Sequence, residues 1–143
     1  MRKGISFFSG CGGSSLGYKR AGVKIIYANE FIKKASDTYT ANFPDTYMDT
    51  RDIRDVSAQD VLDIIKMKKG ELDFLDGSPP CASFSTAGSR EKAWGKIKKY
   101  SDGSQRTDDL FFEYIRMVEG IEPKIFIAEN VAGLIQGKAK GYF

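Results

Sequence analysis

Short apolar runs alternate with helical segments along this chain, and that alternation limits its fold more than any other feature. Four strands are predicted, at residues 5–8, 23–28, 72–75 and 125–128. Four helices are predicted, at residues 14–21, 31–42, 60–68 and 110–118. This order is typical of an α/β domain in which helices cover both faces of a mostly parallel sheet.

The most distinctive residues of the chain follow the predicted strands. They are the glycine turn 10–13, Glu30, the segment 77–81, and the pair Glu129–Asn130. The carboxyl ends of parallel strands meet at one edge of a sheet, and open α/β sheets bind their ligands there. We therefore expect these residues to form one site.

The amino-acid composition excludes several types of active site and predicts where the protein is located. The chain has 143 residues, of which 41% are hydrophobic, enough for one domain with a core. It has no histidine, which excludes Ser-His-Asp hydrolysis and histidine-ligated metal sites, so no metal is expected. The net charge is +3. The chain has no long apolar run and no signal-peptide pattern, so we expect a cytoplasmic protein without membrane contact.

Residues 82–107 are polar, basic and glycine-containing, and they are predicted to form a long loop. Five basic residues fall between Arg90 and Lys99, interleaved with Trp94. This pattern suits either a solvated surface loop or a loop that touches nucleic-acid phosphates.

The glycine turn favours an adenosyl ligand over a dinucleotide. Gly10 and Gly12 fit the pattern G-x-G-x-x-G, but Ser15 occupies the third glycine position. An adenosyl group has no phosphates, and a tight turn suffices for it. Glu30 follows the second strand, where a carboxylate can accept hydrogen bonds from two ribose hydroxyls. Asp52 taken by itself reads as part of a solvated acidic segment.

The Pro79–Pro80 pair makes a rigid turn before Cys81. A cysteine between a stiff turn and a polar loop is an unusual choice for core packing, so Cys81 is predicted to have a chemical role. Glu129 follows the next strand and is expected beside Cys81. A carboxyl group there suits hydrogen bonding to the ring nitrogen of a heterocycle.

Six segments of the chain together resemble the cytosine-C5 DNA methyltransferases. They are residues 8–22, 28–31, 51–53, 76–88, 106–118 and 123–134, in family order. The segments PPC-x-x-F-S and ENV-x-x-L are the most specific in combination. The resemblance implies a Rossmann-like fold that binds S-adenosyl-L-methionine and releases S-adenosylhomocysteine.

The resemblance also implies individual roles. Cys81 would attack C6 of a cytosine flipped out of double-stranded DNA, and Glu129 would hold the ring near N3. The methyl group would then pass to C5, while the loop 82–107 closed over the DNA. The cofactor site would be formed by Phe8, Gly10, Gly12, Glu30, Phe31, Asp52, Ile53, Ser78, Pro80 and Leu110.

Members of the family continue well beyond the last matching segment. Residues 1–143 are therefore expected to be the N-terminal part of an S-adenosylmethionine-binding catalytic domain, with the sheet incomplete at its C-terminus and the target-recognition domain absent. Weak or no DNA methylation is expected from the chain alone. Two alternatives stay open: a cofactor-binding subunit that pairs with a complementary C-terminal polypeptide, and a tRNA cytosine-C5 methyltransferase.

Two further classes fit less well. An amino-group methyltransferase would carry an acid or amide and an aromatic residue where Ser78 and Cys81 stand, and Ser15 disfavours a nicotinamide oxidoreductase. For a cytosine-C5 DNA methyltransferase from a bacterium, a restriction–modification system is the commonest setting.

Overall fold

All five strands of the main sheet run parallel in the computed structural model, which describes residues 1–80, 97–100, 103–106 and 109–130. The strands are β1 (Arg2–Phe7), β2 (Val23–Asn29), β3 (Tyr47–Asp49), β4 (Phe74–Gly77) and β7 (Ile125–Ala128). Their spatial order is β3-β2-β1-β4-β7. The helices are α1 (Gly13–Arg20), α2 (Lys33–Asn42), α3 (Ala58–Ile65) and α4 (Leu110–Ile121), with a single 3₁₀ turn at Ile53–Asp55.

The predicted fold class is confirmed, but several element boundaries differ from the prediction: β1 begins at Arg2, α2 begins at Lys33 and α4 extends to Ile121. Two further boundaries have identifiable local reasons. β4 begins at Phe74 instead of residue 72, because the Asp73 carboxylate takes the backbone N–H of Lys3 at the edge of the β1 pairing. α3 ends at Ile65 instead of residue 68, because Lys66 adopts a left-handed φ of 55° that terminates the helix. No helix in the described ranges is long and apolar enough to cross a membrane.

The prediction of one long loop over 82–107 is wrong in part. Strands β5 (Ile97–Tyr100) and β6 (Gly103–Arg106) pair antiparallel as a separate two-stranded sheet. Only two residues separate these strands, which is the commonest length of a tight hairpin connection, and the polar composition of the segment did not reveal it. The other residues between 81 and 108 lie outside the described part of the chain.

The two faces of the sheet differ in chemistry. One face packs against α3 and α4 and forms the apolar core, which includes Ile5, Phe7, Leu75, Tyr114 and Met117. Alternation along the strands sends Ser6 and Asp76 to the opposite face, where α1 lies. Helices therefore cover both faces, but only one of the two interfaces is built mainly from apolar side chains.

Candidate active site at the carboxyl ends of the strands

A cavity of about 200 Å³ opens at the carboxyl ends of β1, β2 and β4. The chain runs outward from β1 through β2 to β3 and then returns to place β4 on the other side of β1. Such a switch point is where open α/β sheets bind their ligands. The lining residues are Phe8, Asn29, Glu30, Phe31, Ile32, Ile53, Ser78 and Pro80. All of them except Asn29 and Ile32 were predicted from the sequence as cofactor-binding residues.

The Glu30 side chain links the glycine turn to the residue that precedes α2. Its Oε2 atom accepts the backbone N–H of Gly10 at 2.9 Å, and its Oε1 atom accepts the backbone N–H of Ile32 at 2.8 Å. The residue is only 9% exposed, so both bonds are shielded from water. A carboxylate oxygen can accept more than one donor, and each oxygen therefore keeps capacity for a ligand hydroxyl.

The turn after β1 contains three residues with left-handed backbone conformations. The φ angles are 53° at Phe8, 54° at Gly10 and 93° at Gly12. A Cβ atom at Gly12 would lie 2.4 Å from the Phe43 ring, whereas one at Gly10 would meet nothing within 4 Å. A side chain at Gly12 would therefore displace the Phe43 ring and strain the backbone, whereas Gly10 leaves the backbone open on its outer side. Phe8 carries real backbone strain, since it has a Cβ atom.

Asp52 is held in an ion-pair network and is not a loosely solvated acid. Its carboxylate accepts the backbone N–H of Arg54 at 3.0 Å and pairs with the Arg54 guanidinium at 3.0 Å. The same guanidinium bonds Asp109, the residue before α4, through its Nε atom at 3.1 Å. This network orients the 3₁₀ turn so that Ile53, which is 1% exposed, reaches the cavity.

Asn29 lines the cavity although the sequence analysis did not single it out. Its Nδ2 atom donates to the backbone oxygens of Asp49 at 3.1 Å and Arg51 at 3.0 Å, which ties the end of β2 to the end of β3. Burial opposes ionisation of Asp49, but hydrogen bonds from Arg51 and Tyr27 outweigh it and hold the pKa of that carboxyl below its ordinary value. The sequence offered one signal for Asn29: it is a polar residue at the end of a predicted strand.

Four of the ten predicted cofactor residues do not line the cavity. Gly10 lies one hydrogen bond away through Glu30, and Gly12 packs under the turn. Asp52 faces Arg54, and Leu110 is fully buried in the apolar core at the start of α4. Their contact with a cofactor stays a prediction.

The two predicted catalytic residues differ in what can be said of them. Cys81 lies outside the described residues. Glu129 is exposed just beyond β7, and its backbone N–H donates to the Gly77 oxygen at 3.0 Å. That bond places Glu129 beside the end of β4, the strand that leads into Pro79 and Pro80.

Comparison with known proteins decides the family. The model of the family described as C-5 cytosine-specific DNA methylase matches residues 2–143. The chain belongs to this family. The resemblance predicted from the sequence is thereby confirmed, and the methylase family is a family of enzymes.

Among the relatives of this methylase chain are bacterial type II methyltransferases. It is 38% identical over 137 residues to M.NgoPII of Neisseria gonorrhoeae, covering 96% of the chain and 35% of the relative. It is 38% identical to M.FnuDI of Fusobacterium nucleatum over 131 residues, covering 92% of the chain and 33% of the relative. The chain thus spans about a third of the length of these relatives.

A solved structure supports the fold. The crystal structure of a DNA modification methyltransferase encoded within a prophage of E. coli matches 99% of this chain and 35% of its own, at 30% identity and a TM-score of 0.77.

Proposed function

We propose that this chain binds S-adenosyl-L-methionine in the switch-point cavity and contributes the nucleophile for methyl transfer to C5 of cytosine in double-stranded DNA. One observation carries the cofactor assignment: a shielded carboxylate, Glu30, is held by two backbone N–H groups at the wall of that cavity. A type II restriction–modification setting and S-adenosylhomocysteine as product belong to the same proposal.

The hydrogen-bond acceptors and apolar surfaces around the cavity fit an adenosyl group. Glu30 offers acceptors for ribose hydroxyls, while Phe31, Ile53 and Pro80 offer apolar surface for a purine ring. Phe31 can stack on such a ring, since aromatic side chains pair well with flat heterocycles. When bound, S-adenosylmethionine supplies an electrophilic methyl group.

Cys81 and Glu129 carry the proposed chemistry. The Cys81 thiolate adds to C6 of the cytosine, and protonated Glu129 donates its proton toward N3, which offsets the charge on the ring and makes C5 nucleophilic. C5 then accepts the methyl group. The C5 proton then passes to water, the C6–S bond breaks as the Cys81 thiolate departs, the C5–C6 double bond forms again, and the N3 proton returns to Glu129.

Glu30→Gln tests the cofactor assignment. We expect the Kd for S-adenosylhomocysteine, measured by isothermal titration calorimetry, to rise by about 10- to 100-fold. An amide keeps one acceptor oxygen and turns its NH₂ group toward the N–H of Gly10 or Ile32, so it replaces a charged acceptor with a donor facing a donor.

Glu71→Gln is the matched control for this substitution. Glu71 is an exposed acid that accepts the backbone N–H of Lys68 at 2.8 Å, far from the cavity. The control removes the same charge and should leave the Kd within about twofold. Equal affinities of Glu30→Gln and the wild-type chain would contradict the assignment.

A second proposal is that the chain pairs with another polypeptide, and the exposed strand β7 supports it. Within the described residues β7 pairs with β4 only, and it stands at the edge of the sheet. Three successive apolar residues are exposed there: Ile125 by 58%, Phe126 by 50% and Ile127 by 43%. An apolar edge strand of this kind invites pairing with another segment. We propose that a complementary polypeptide covers β7 and completes the enzyme.

Sedimentation velocity over a range of concentrations tests the exposed edge. We expect the wild-type chain to self-associate as its concentration rises, because the apolar side chains of this edge strand are exposed. Phe126→Lys should suppress this association. Tyr47→Lys, which changes a residue 52% exposed on the opposite edge strand β3, should not. Monomeric behaviour of the wild-type chain at every concentration would contradict the proposal.

A further inference from the structure

Asp76 is a buried acid that the proposed chemistry does not use. It lies on β4, is 3% exposed, and stands in register with Ser6 on the neighbouring strand β1. Both side chains lie on the sheet face that α1 covers. A carboxylate in such a position requires partners, since burying an unpaired charge is very unfavourable.

Three hydroxyl groups supply those partners. Ser6 Oγ donates to Asp76 Oδ2 at 3.1 Å, Ser14 Oγ donates to the same oxygen at 3.1 Å, and Tyr18 Oη donates to Oδ1 at 2.9 Å. Burial and the neighbouring carboxylate raise the pKa of Tyr18 to about 12, so its hydroxyl remains a donor across the physiological range. Ser14 and Tyr18 are four residues apart, which puts them on one face of α1.

Helix α1 has few apolar residues to hold it on the sheet. Ser15 is the one fully buried residue of the helix, and Leu16 is 44% exposed. The Tyr18 ring contacts the Phe74 ring edge-on at 4.6 Å between centroids. Hydrogen bonds to Asp76 therefore contribute much of what holds α1 on the sheet, whereas apolar packing holds the helices on the opposite face.

This network connects the two walls of the cavity. Ser14 directly follows the glycine turn, whose Gly10 is bonded to Glu30. Ser78, which lines the cavity, follows Asp76 by two residues and is the first residue after β4. We infer that Asp76 is a positioning residue, which holds the glycine turn at a set distance from the Ser78–Pro80 wall through Ser14 and Tyr18.

The consequence is preorganisation of the cofactor site. A turn that contains two left-handed glycines is costly to order, and any order missing before binding must be supplied by the ligand. The anchored α1 orders the turn in advance. This inference rests on the proposed cofactor site for its effect on affinity, but its effect on the turn can be measured without a ligand.

The affinity test compares Ser14→Ala and Tyr18→Phe with Ser57→Ala. Each of the first two removes one donor to Asp76, and Tyr18→Phe keeps the ring that packs on Phe74. Ser57→Ala removes one hydroxyl hydrogen bond, to the Asp60 N–H at 3.0 Å, from the cap of α3 on the opposite face. We expect the Kd for S-adenosylhomocysteine to rise about tenfold in the first two variants and to stay within about twofold in Ser57→Ala.

Hydrogen exchange in the ligand-free chain separates the inference from the proposed function. The amides of residues 10–14 should exchange about tenfold faster in Ser14→Ala and Tyr18→Phe than in Ser57→Ala, after correction for global stability. If the wild-type chain does not bind S-adenosylhomocysteine, the proposed function is wrong. The exchange measurement would still test whether Asp76 orders the glycine turn. Equal exchange rates at residues 10–14 in all three variants would overturn the positioning role of Asp76, whatever the affinities are.

Discussion

Cys81→Ser is expected to abolish covalent trapping of a cytosine analogue. With S-adenosylmethionine and a duplex containing 5-fluorocytosine, the chain should form a denaturation-resistant adduct visible by mass spectrometry, either alone or after pairing with a complementary polypeptide. After methyl transfer the fluorine at C5 blocks the proton loss that would release the thiolate, so the adduct persists. Serine is a far weaker nucleophile than cysteine, because its hydroxyl is almost fully protonated at neutral pH.

Cys11→Ser is the matched control, since it makes the same substitution at the other cysteine, which is exposed within the glycine turn. It should leave adduct formation intact. An adduct that survives in Cys81→Ser would exclude Cys81 as the nucleophile. A parallel arm with a 5-fluorocytosine-containing tRNA tests the alternative substrate. If the wild-type chain binds cofactor but forms no adduct with either, a complementary polypeptide is needed for substrate binding.

Gly77→Ala is expected to lower the free energy of unfolding by about 2–3 kcal/mol, a typical effect of overpacking a core. A Cβ atom at Gly77 would lie 2.1 Å from the Tyr114 ring. That ring has little freedom to retreat, because Tyr114 is fully buried and its hydroxyl donates to the Ile127 oxygen at 2.6 Å. The midpoint of urea unfolding, read by circular dichroism, measures the loss.

Gly17→Ala is the control for this clash, because a Cβ atom there would meet nothing within 4 Å. Gly17 lies inside α1, where alanine favours the helix by about 0.5–1 kcal/mol over glycine. The two identical substitutions should therefore shift the unfolding midpoint in opposite directions. In the double variant Gly77→Ala/Tyr114→Leu, the loss should be smaller than the sum of the single losses. Additive losses would show that Tyr114 is not the source of the effect.

The sequence by itself determined the order of four strands and four helices and the edge of the sheet at which the candidate site lies, but it missed the β5–β6 hairpin. The hydrophobic patterns are local, so β2 and β7 could be placed to within a residue and α1 to within one residue at each end. Glu30, Phe31, Ser78 and Pro80 could be assigned to one cavity because each follows a parallel strand, and parallel strands end on the same side. Family segments then supplied roles that spacing could not.

Only the tertiary structure decided which polar groups pair with one another around that candidate site. Asp76 meets Ser14 across 62 positions of the chain, and Arg54 meets Asp109 across 55. Local sequence patterns do not predict such pairs. From the sequence alone, Asp76 is a polar residue at a strand end and Asp52 is a surface acid. Whether an acid is buried and paired or solvated depends on what the folded chain brings beside it. That is settled by the packing of α1 and α4 on opposite faces of one sheet.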